Sequence, residues 1–274
     1  MTVKKYVVPP LNIHTEGCRF ASSPIFLNSS WLYANFSRIH SGCAVLFQAP
    51  IERKNKIVAV NAGHGTVGGD KIFTYCNPDK TPKITDTSTP KGSVITMCVA
   101  PGMTFKDGTP EKVVTLKIAK ILKNLLLLAG YDVLMLREAE DVQLDNIART
   151  VIANNTAAIH IALHWDGDYF DYDKGAFYVA VPEGLKGREP VKNFWKSHEI
   201  LGESLIKGLD GVGVKIFPSN PVQFDLTQIS FSTIPFSNIE LGNQCSDHSE
   251  KKLNILAEGL LKGIEDYFEN TSLV

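Results

Sequence analysis

Residues 56–65 read KIVAVNAGHG. The first six, KIVAVN, are a short apolar run rich in β-branched residues, the composition of a strand buried on both faces. The run stops at Ala62-Gly63-His64-Gly65, a turn with a histidine between two glycines. A long stretch, 66–107, is rich in Gly, Pro, Thr and Lys and holds one apolar run, 93–100. Loops of this length are often functional. Then Gly108-Thr109-Pro110-Glu111 opens a helix, with Thr109 as N-cap and Pro110 at the first helical position. Val114, Ile118, Ile121, Leu122 and Leu125 give that helix an apolar face, and Gly130 stops it after Ala129. Further strands are expected at 133–136, 157–163, 175–181 and 234–241, with helices at 143–155, 192–209 and 251–267. Strands alternating with helices predict an α/β fold: a twisted, mostly parallel sheet flanked by helices on both faces.

Upstream of residue 55 the character differs. Residues 1–54 are rich in Ser, Asn and aromatics, with candidate strands at 31–36 and 43–47, and 50–56 is polar and linker-like. The expected organisation is a catalytic domain at 55–274 and an N-terminal extension at 1–54, which adds strands to the sheet edge or forms a small appendage. The 274 residues are 44% hydrophobic and 21% charged, enough to bury a core. A net charge of -1 and no dense Lys/Arg run argue against nucleic acid as a partner. The five cysteines form no C-x-x-C pair, so a cysteine metal site is not expected, and the odd number leaves a free thiol or an intermolecular partner. No apolar stretch approaches the ~20 residues of a membrane-spanning helix. Residues 1–10 hold two lysines but lack the apolar run of a secretory leader.

In open α/β sheets ligands sit at the carboxyl ends of strands. His64, His164 and Glu240 fall there, and Glu111 opens a helix after the long loop. Two histidines and a carboxylate make a catalytic zinc set, leaving one carboxylate to move protons. Each residue has a plainer reading. His64 can be a loop histidine, Glu111 a carboxylate meeting the helix dipole, and Glu240 half of a salt bridge to Arg149. His160, on the same face of its strand as His164, reads as a hydrogen-bonded core histidine. His14, His40, His198 and His248 read as surface residues. Residues 63–68 also spell G-x-G-x-x-G, the dinucleotide fingerprint, but the residues that follow are a poor helix, so a pyrophosphate would find no helix N-terminus.

The pieces together resemble the zinc N-acetylmuramoyl-L-alanine amidases of the amidase type 3 family. NAGHG at 61–65 is similar to the family's strand-then-GHG opening. GTPE at 108–111 matches its helix-opening Glu, ALHWD at 162–166 its strand-end S-I-H-A-N, and IPFSNIELG at 234–242 its I-P-x-x-x-x-E-x-G. Leu136-Arg137, Leu144, Arg149, Ala153-Asn154 and residues 175–178 also match, in the family's order over roughly 56–267. The resemblance implies Zn2+ on His64, Glu111 and His164, and Glu240 as general acid/base. The implied reaction is hydrolysis of the amide between N-acetylmuramoyl and L-alanine, the partner is peptidoglycan, and the location is extracellular or the cell wall.

The chain departs from that pattern at Ala162, Trp165 and Asp166. It departs again at Asn243, Gln244, Cys245 and Ser246, where the family has an aromatic and then Ser-Asn or Thr-Asn. These changes spare the metal and catalytic positions and bear on substrate contacts and groove shape. Two rival functions remain. A zinc carboxypeptidase on a similar sheet would need an arginine in its pocket for the free carboxylate. A non-catalytic cell-wall-binding protein would have no use for Glu240.

Overall fold

The computed structural model describes residues 20–271, so His14 and Cys18 lie outside the described residues. In chain order the elements begin with β1 (Ser22–Ile25), β2 (Ala44–Phe47), β3 (Ile57–Ala62), β4 (Phe73–Tyr75) and β5 (Ile95–Met97). Then come α1 (Glu111–Leu128), β6 (Asp132–Met135), α2 (Asn146–Thr156), β7 (Ile159–Asp166) and β8 (Phe177–Ala180). The chain closes with α3 (Glu183–Lys186), α4 (Val191–Asp210), β9 (Val222–Gln223), α5 (Thr227–Phe231), β10 (Phe236–Asn243) and α6 (Glu250–Thr271).

Eight strands form one sheet in the order β1-β2-β6-β3-β7-β10-β8-β9, and β4 and β5 form a separate hairpin. The four central strands, β6, β3, β7 and β10, are parallel. β8 runs antiparallel to β10, while β2 and β1 extend the other edge in antiparallel fashion. The strand period of two sends neighbouring side chains of β3 to opposite faces. Val58, Val60 and Ala62 join one core with α1 (Val114, Ile118, Leu122), α4 (Leu201, Leu205) and α6 (Leu253, Leu256, Leu260). Ala59 joins another with Ala148 and Ile152 of α2. Both faces of the sheet are therefore helix-covered, and this is the mostly parallel α/β architecture that the alternating pattern predicts. Among the described residues no helix is long and apolar enough to cross a membrane.

Two local expectations change. The expected strand at 31–36 is a turn followed by a 3-10 helix, Ala34–Phe36. Its backbone bonds close locally, Ala34 N–H to Trp31 O and Phe36 N–H to Tyr33 O. Its aromatics are packing groups: the Tyr33 and Phe36 rings lie 5.4 and 5.2 Å from that of Phe231 in α5. The run at 93–100 contributes only β5, paired with β4.

Candidate active site

β3, β7 and β10 end side by side. Glu240 pairs in register with His164, and Ala62 with Leu163 next to it. His64 stands two residues beyond β3, at a φ of 63°, a left-handed conformation that a non-glycine residue holds only when its surroundings enforce it. Two buried arginines do so. Arg149 Nη2 donates to His64 O at 2.8 Å, and Arg149 Nη1 to Ala62 O at 3.2 Å and Asn61 Oδ1 at 2.9 Å. Arg137 donates to Ala62 O, Gly63 O and Lys112 O, tying the turn to the first turn of α1. Burial lowers both guanidinium pKa values, to about 10 for Arg137 and, with Arg137's charge adding, about 9 for Arg149. Arg149 is thus a scaffold group. It makes no ion pair with Glu240.

α1 begins at Glu111, with Pro110 as its N-cap, one position later than the sequence pattern suggests. The Glu111 carboxylate is buried, and backbone amides hold both oxygens: Trp165 N–H donates to Oε1 at 3.0 Å and Met103 N–H to Oε2 at 2.9 Å. His64 Nε2 lies 2.9 Å from Oε2, His164 Nδ1 lies 3.1 Å from Oε1, and the two imidazole nitrogens are 3.1 Å apart. Burial alone would raise the Glu111 pKa, yet His64 and His164 outweigh it and hold it well below the usual carboxylate range. Burial lowers the pKa of His164.

His64, Glu111 and His164 offer one ligand atom each within 4.8 Å of one another, a group able to hold a metal ion. The donor chemistry fits zinc. His64 Nδ1 lies 2.7 Å from the Ala100 carbonyl, which fixes the proton on Nδ1 and leaves the Nε2 lone pair facing Glu111 and His164. Two glycines give the rings room. A Cβ on Gly63 would lie 2.3 Å from His164 Cε1, and one on Gly102, at φ 88°, 2.8 Å from His64 Cδ2.

These residues and Glu240 line a cavity of about 680 Å³. Among the described residues its charged lining groups are Asp70, Glu111, Asp166 and Glu240, with no lysine or arginine. A carboxypeptidase's free carboxylate would find no cation here. Much of the lining comes from the long 66–107 stretch, through residues 70, 87, 88, 97 and 99–103. Asn238 Nδ2 donates to Glu240 Oε1 at 2.8 Å, whereas Glu240 Oε2 is buried without a partner among the described residues. Burial, then the charges of Glu111 and Asp166, push the Glu240 pKa well above its ordinary value.

A family model described as N-acetylmuramoyl-L-alanine amidase matches residues 58–257. The chain belongs to this amidase family. Its fold is similar to that of the apo N-acetylmuramyl-L-alanine amidase Ami1 from Mycobacterium abscessus, at 18% identity and a TM-score of 0.61, over 78% of this chain and 99% of that one. Ami1 from Mycobacterium smegmatis matches at 14% identity and a TM-score of 0.64, over 79% and 98% of the two chains. An N-acetylmuramoyl-L-alanine amidase from Clostridium difficile 630 matches at 20% identity and a TM-score of 0.55, over 78% and 97%. Among curated proteins, none matches.

The remaining histidines of this amidase need two corrections. His160 is fully buried, as expected of a core residue, but neither ring nitrogen has a hydrogen-bond partner among the described residues. His198 is not a surface residue: it is 3% exposed, and its Nδ1 accepts from Phe236 N–H at 3.0 Å. Both rings pack near Phe236, at centroid distances of 4.7 and 6.4 Å. Cys43, Cys76, Cys98 and Cys245 are free thiols. The backbone groups that hold the site, Ala100 O, Met103 N–H and Trp165 N–H, carry no mark in the sequence.

Proposed function

We propose that this amidase hydrolyses the amide between the N-acetylmuramoyl group and L-alanine in peptidoglycan, with Zn2+ on His64, Glu111 and His164 and with Glu240 as general acid/base. The observation that carries the reading is the convergence of three ligand atoms within 4.8 Å, in the same cavity as a carboxyl oxygen with no partner. When bound, zinc supplies Lewis-acid polarisation of a carbonyl and a lowered pKa for water. The chain's own groups do the rest. Asn238 holds Glu240 Oε1, so the free Oε2 is the atom that exchanges protons. It takes a proton from the attacking water and gives one to the departing L-alanine amine. His64 and His164 stay neutral as ligands, and the amides of Met103 and Trp165 keep the Glu111 carboxylate from turning away. We assign this activity to residues 55–274, with β1 and β2 from residues 1–54 completing the sheet edge. The substrate places the work at the cell wall, outside the membrane.

The test begins with metal content, wild type beside His164→Ala, followed by release of new amine from a muramoyl-L-alanyl peptide. About one zinc per chain, lost in the variant, together with amine release by the wild type supports the reading. Absence of metal after incubation with zinc, or hydrolysis of ordinary peptides in preference to muramoyl peptides, overturns it.

A further inference from the structure

The residues that depart from the family pattern after Glu240 converge on one loop. Residues 167–173 read GDYFDYD. The loop leaves the cavity at Asp166 and Gly167, which line it. Asn243 Nδ2 donates to Asp168 Oδ1 and to Tyr172 O, both at 3.0 Å. Gln244 Nε2 donates to Asp168 O at 2.9 Å and Phe170 O at 2.8 Å. Ser246 Oγ donates to Asp173 Oδ1 at 2.7 Å, and Lys106 Nζ to Asp171 O at 3.2 Å. The buried Lys174 pairs with Asp166 and, at 2.8 Å, with Asp168. A loop tied at so many points holds its side chains in fixed places.

Those side chains point outward. Tyr169 is fully exposed, and Phe170 and Tyr172 are exposed with ring centroids 5.1 Å apart. Single exposed apolar residues need no explanation, but three aromatics within four positions of a clamped loop make a patch that marks a binding surface. The patch begins two residues along the chain from Gly167, which lines the cavity. Two Cα steps of about 3.8 Å put the backbone of Tyr169 within about 7.6 Å of Gly167.

We propose that Tyr169, Phe170 and Tyr172 form a stacking platform for sugar rings, which carries the glycan strand past the cavity. This rests on the peptidoglycan reading above. A pyranose presents an apolar C–H face and a rim of hydroxyls. The Tyr169 ring, and the exposed parts of Phe170 and Tyr172 left by Lys174 and Lys215 at 5.8 and 5.4 Å from their centroids, match the first; the exposed Asp171 carboxylate and the tyrosine hydroxyls match the second. The carbonyls of Asp168, Phe170, Asp171 and Tyr172 already accept bonds from the clamp, which leaves a peptide laid along the loop fewer free backbone acceptors.

The test is retention of the purified protein on glycan strands stripped of their peptides, a readout independent of amide cleavage. Wild type binds, and Tyr169→Ala and Tyr172→Ala each weaken binding roughly three- to tenfold, the worth of one aromatic contact. Tyr169→Phe keeps the ring and retains most of the binding. Thermal unfolding of the alanine variants checks that the fold is intact. Failure of the wild type to bind stripped glycan, or equal binding by a Tyr169→Ala/Tyr172→Ala double variant, overturns the proposal. Ring-dependent binding to whole peptidoglycan but not to stripped strands also overturns it, because the rings would then hold the peptide. Failure of the amidase reading shows separately, as no amine release by the wild type.

Discussion

Glu240 and Gly63 show how much of the site rests on single residues. Glu240 is a carboxyl whose pKa burial raises, with one oxygen held by Asn238 and the other without a partner among the described residues. It is not needed to bind the three-residue ligand group. Glu240→Ala is therefore expected to keep its zinc and lose activity by about 100- to 10,000-fold, the usual worth of a positioned proton carrier. Metal analysis beside an amine-release assay checks this; a variant that turns over normally would remove Glu240 from the mechanism. Gly63 acts by what it lacks. An added methyl would occupy the space of the His164 ring, with atoms at 2.3, 2.6 and 2.7 Å. Gly63→Ala is expected to push that ring off the ligand point, lowering zinc occupancy and costing about 1–3 kcal/mol of stability as an overpacked site. Unchanged zinc content in that variant would show that the turn yields more easily than its two arginines suggest.

At the scale of elements, the site is the place where β3, β7 and β10 end and α1 begins, and two buried arginines tie the turn after β3 to the start of α1. Arg149, on α2, donates to the carbonyls of Ala62 and His64 and to the side chains of Asn61 and Thr66. Arg149→Met would leave these buried acceptors without their donor. The expected loss is about 3 kcal/mol or more in denaturant unfolding, since each bond to a charged donor is worth about 1.5–3 kcal/mol. Zinc affinity should fall as well, about 10- to 100-fold, because the His64 turn loses its support. A stability loss under 1 kcal/mol would mean that the carbonyls find other partners. Much of this level was legible in the sequence. Short apolar runs ending in Gly or His marked the strand ends, and a Gly-Thr-Pro opening marked α1. Residues 31–36 misled because aromatic density reads as strand propensity, whereas these rings pack side-on against Phe231. The hold on Glu111 was invisible because it is made by backbone amides, which every residue carries. The clamp on the aromatic loop was visible only as a departure at residues 243–246, without a hint of what it held.

Across the whole molecule, acid stability is set in part by two histidines far from solvent. Burial holds the pKa of both His160 and His198 down to about 3, His160 also feeling the charges of Arg149 and His198. In the unfolded chain each titrates near 6.5. As pH falls below about 6.5 the unfolded chain takes up protons that the fold refuses, so stability drops with falling pH, fully present above 6.5 and progressively lost towards 3. At pH 5 the loss is about 2 kcal/mol per histidine, from about 1.36 kcal/mol per unit. That is a large part of the 5–15 kcal/mol typical of a domain. Glu240 acts in the opposite sense. Its raised pKa lets the fold hold a proton that the unfolded chain has released, so above its ordinary pKa it favours the fold as pH falls. The lowered carboxylates of Asp107 and Asp168 lose their contribution only below about pH 4. The clean comparison is therefore Glu240→Gln against Glu240→Gln/His160→Leu, both without metal, by denaturant unfolding at pH 7 and pH 5. The double variant should lose about 2 kcal/mol less between the two pH values. Leucine also removes two buried ring nitrogens without partners, so it should raise stability at pH 7 by about 1–3 kcal/mol. Equal losses in the two proteins would show that His160 takes up its proton inside the fold. A drop at pH 7 would show that the ring's shape matters more to the packing around Phe236 than its unpaired nitrogens do.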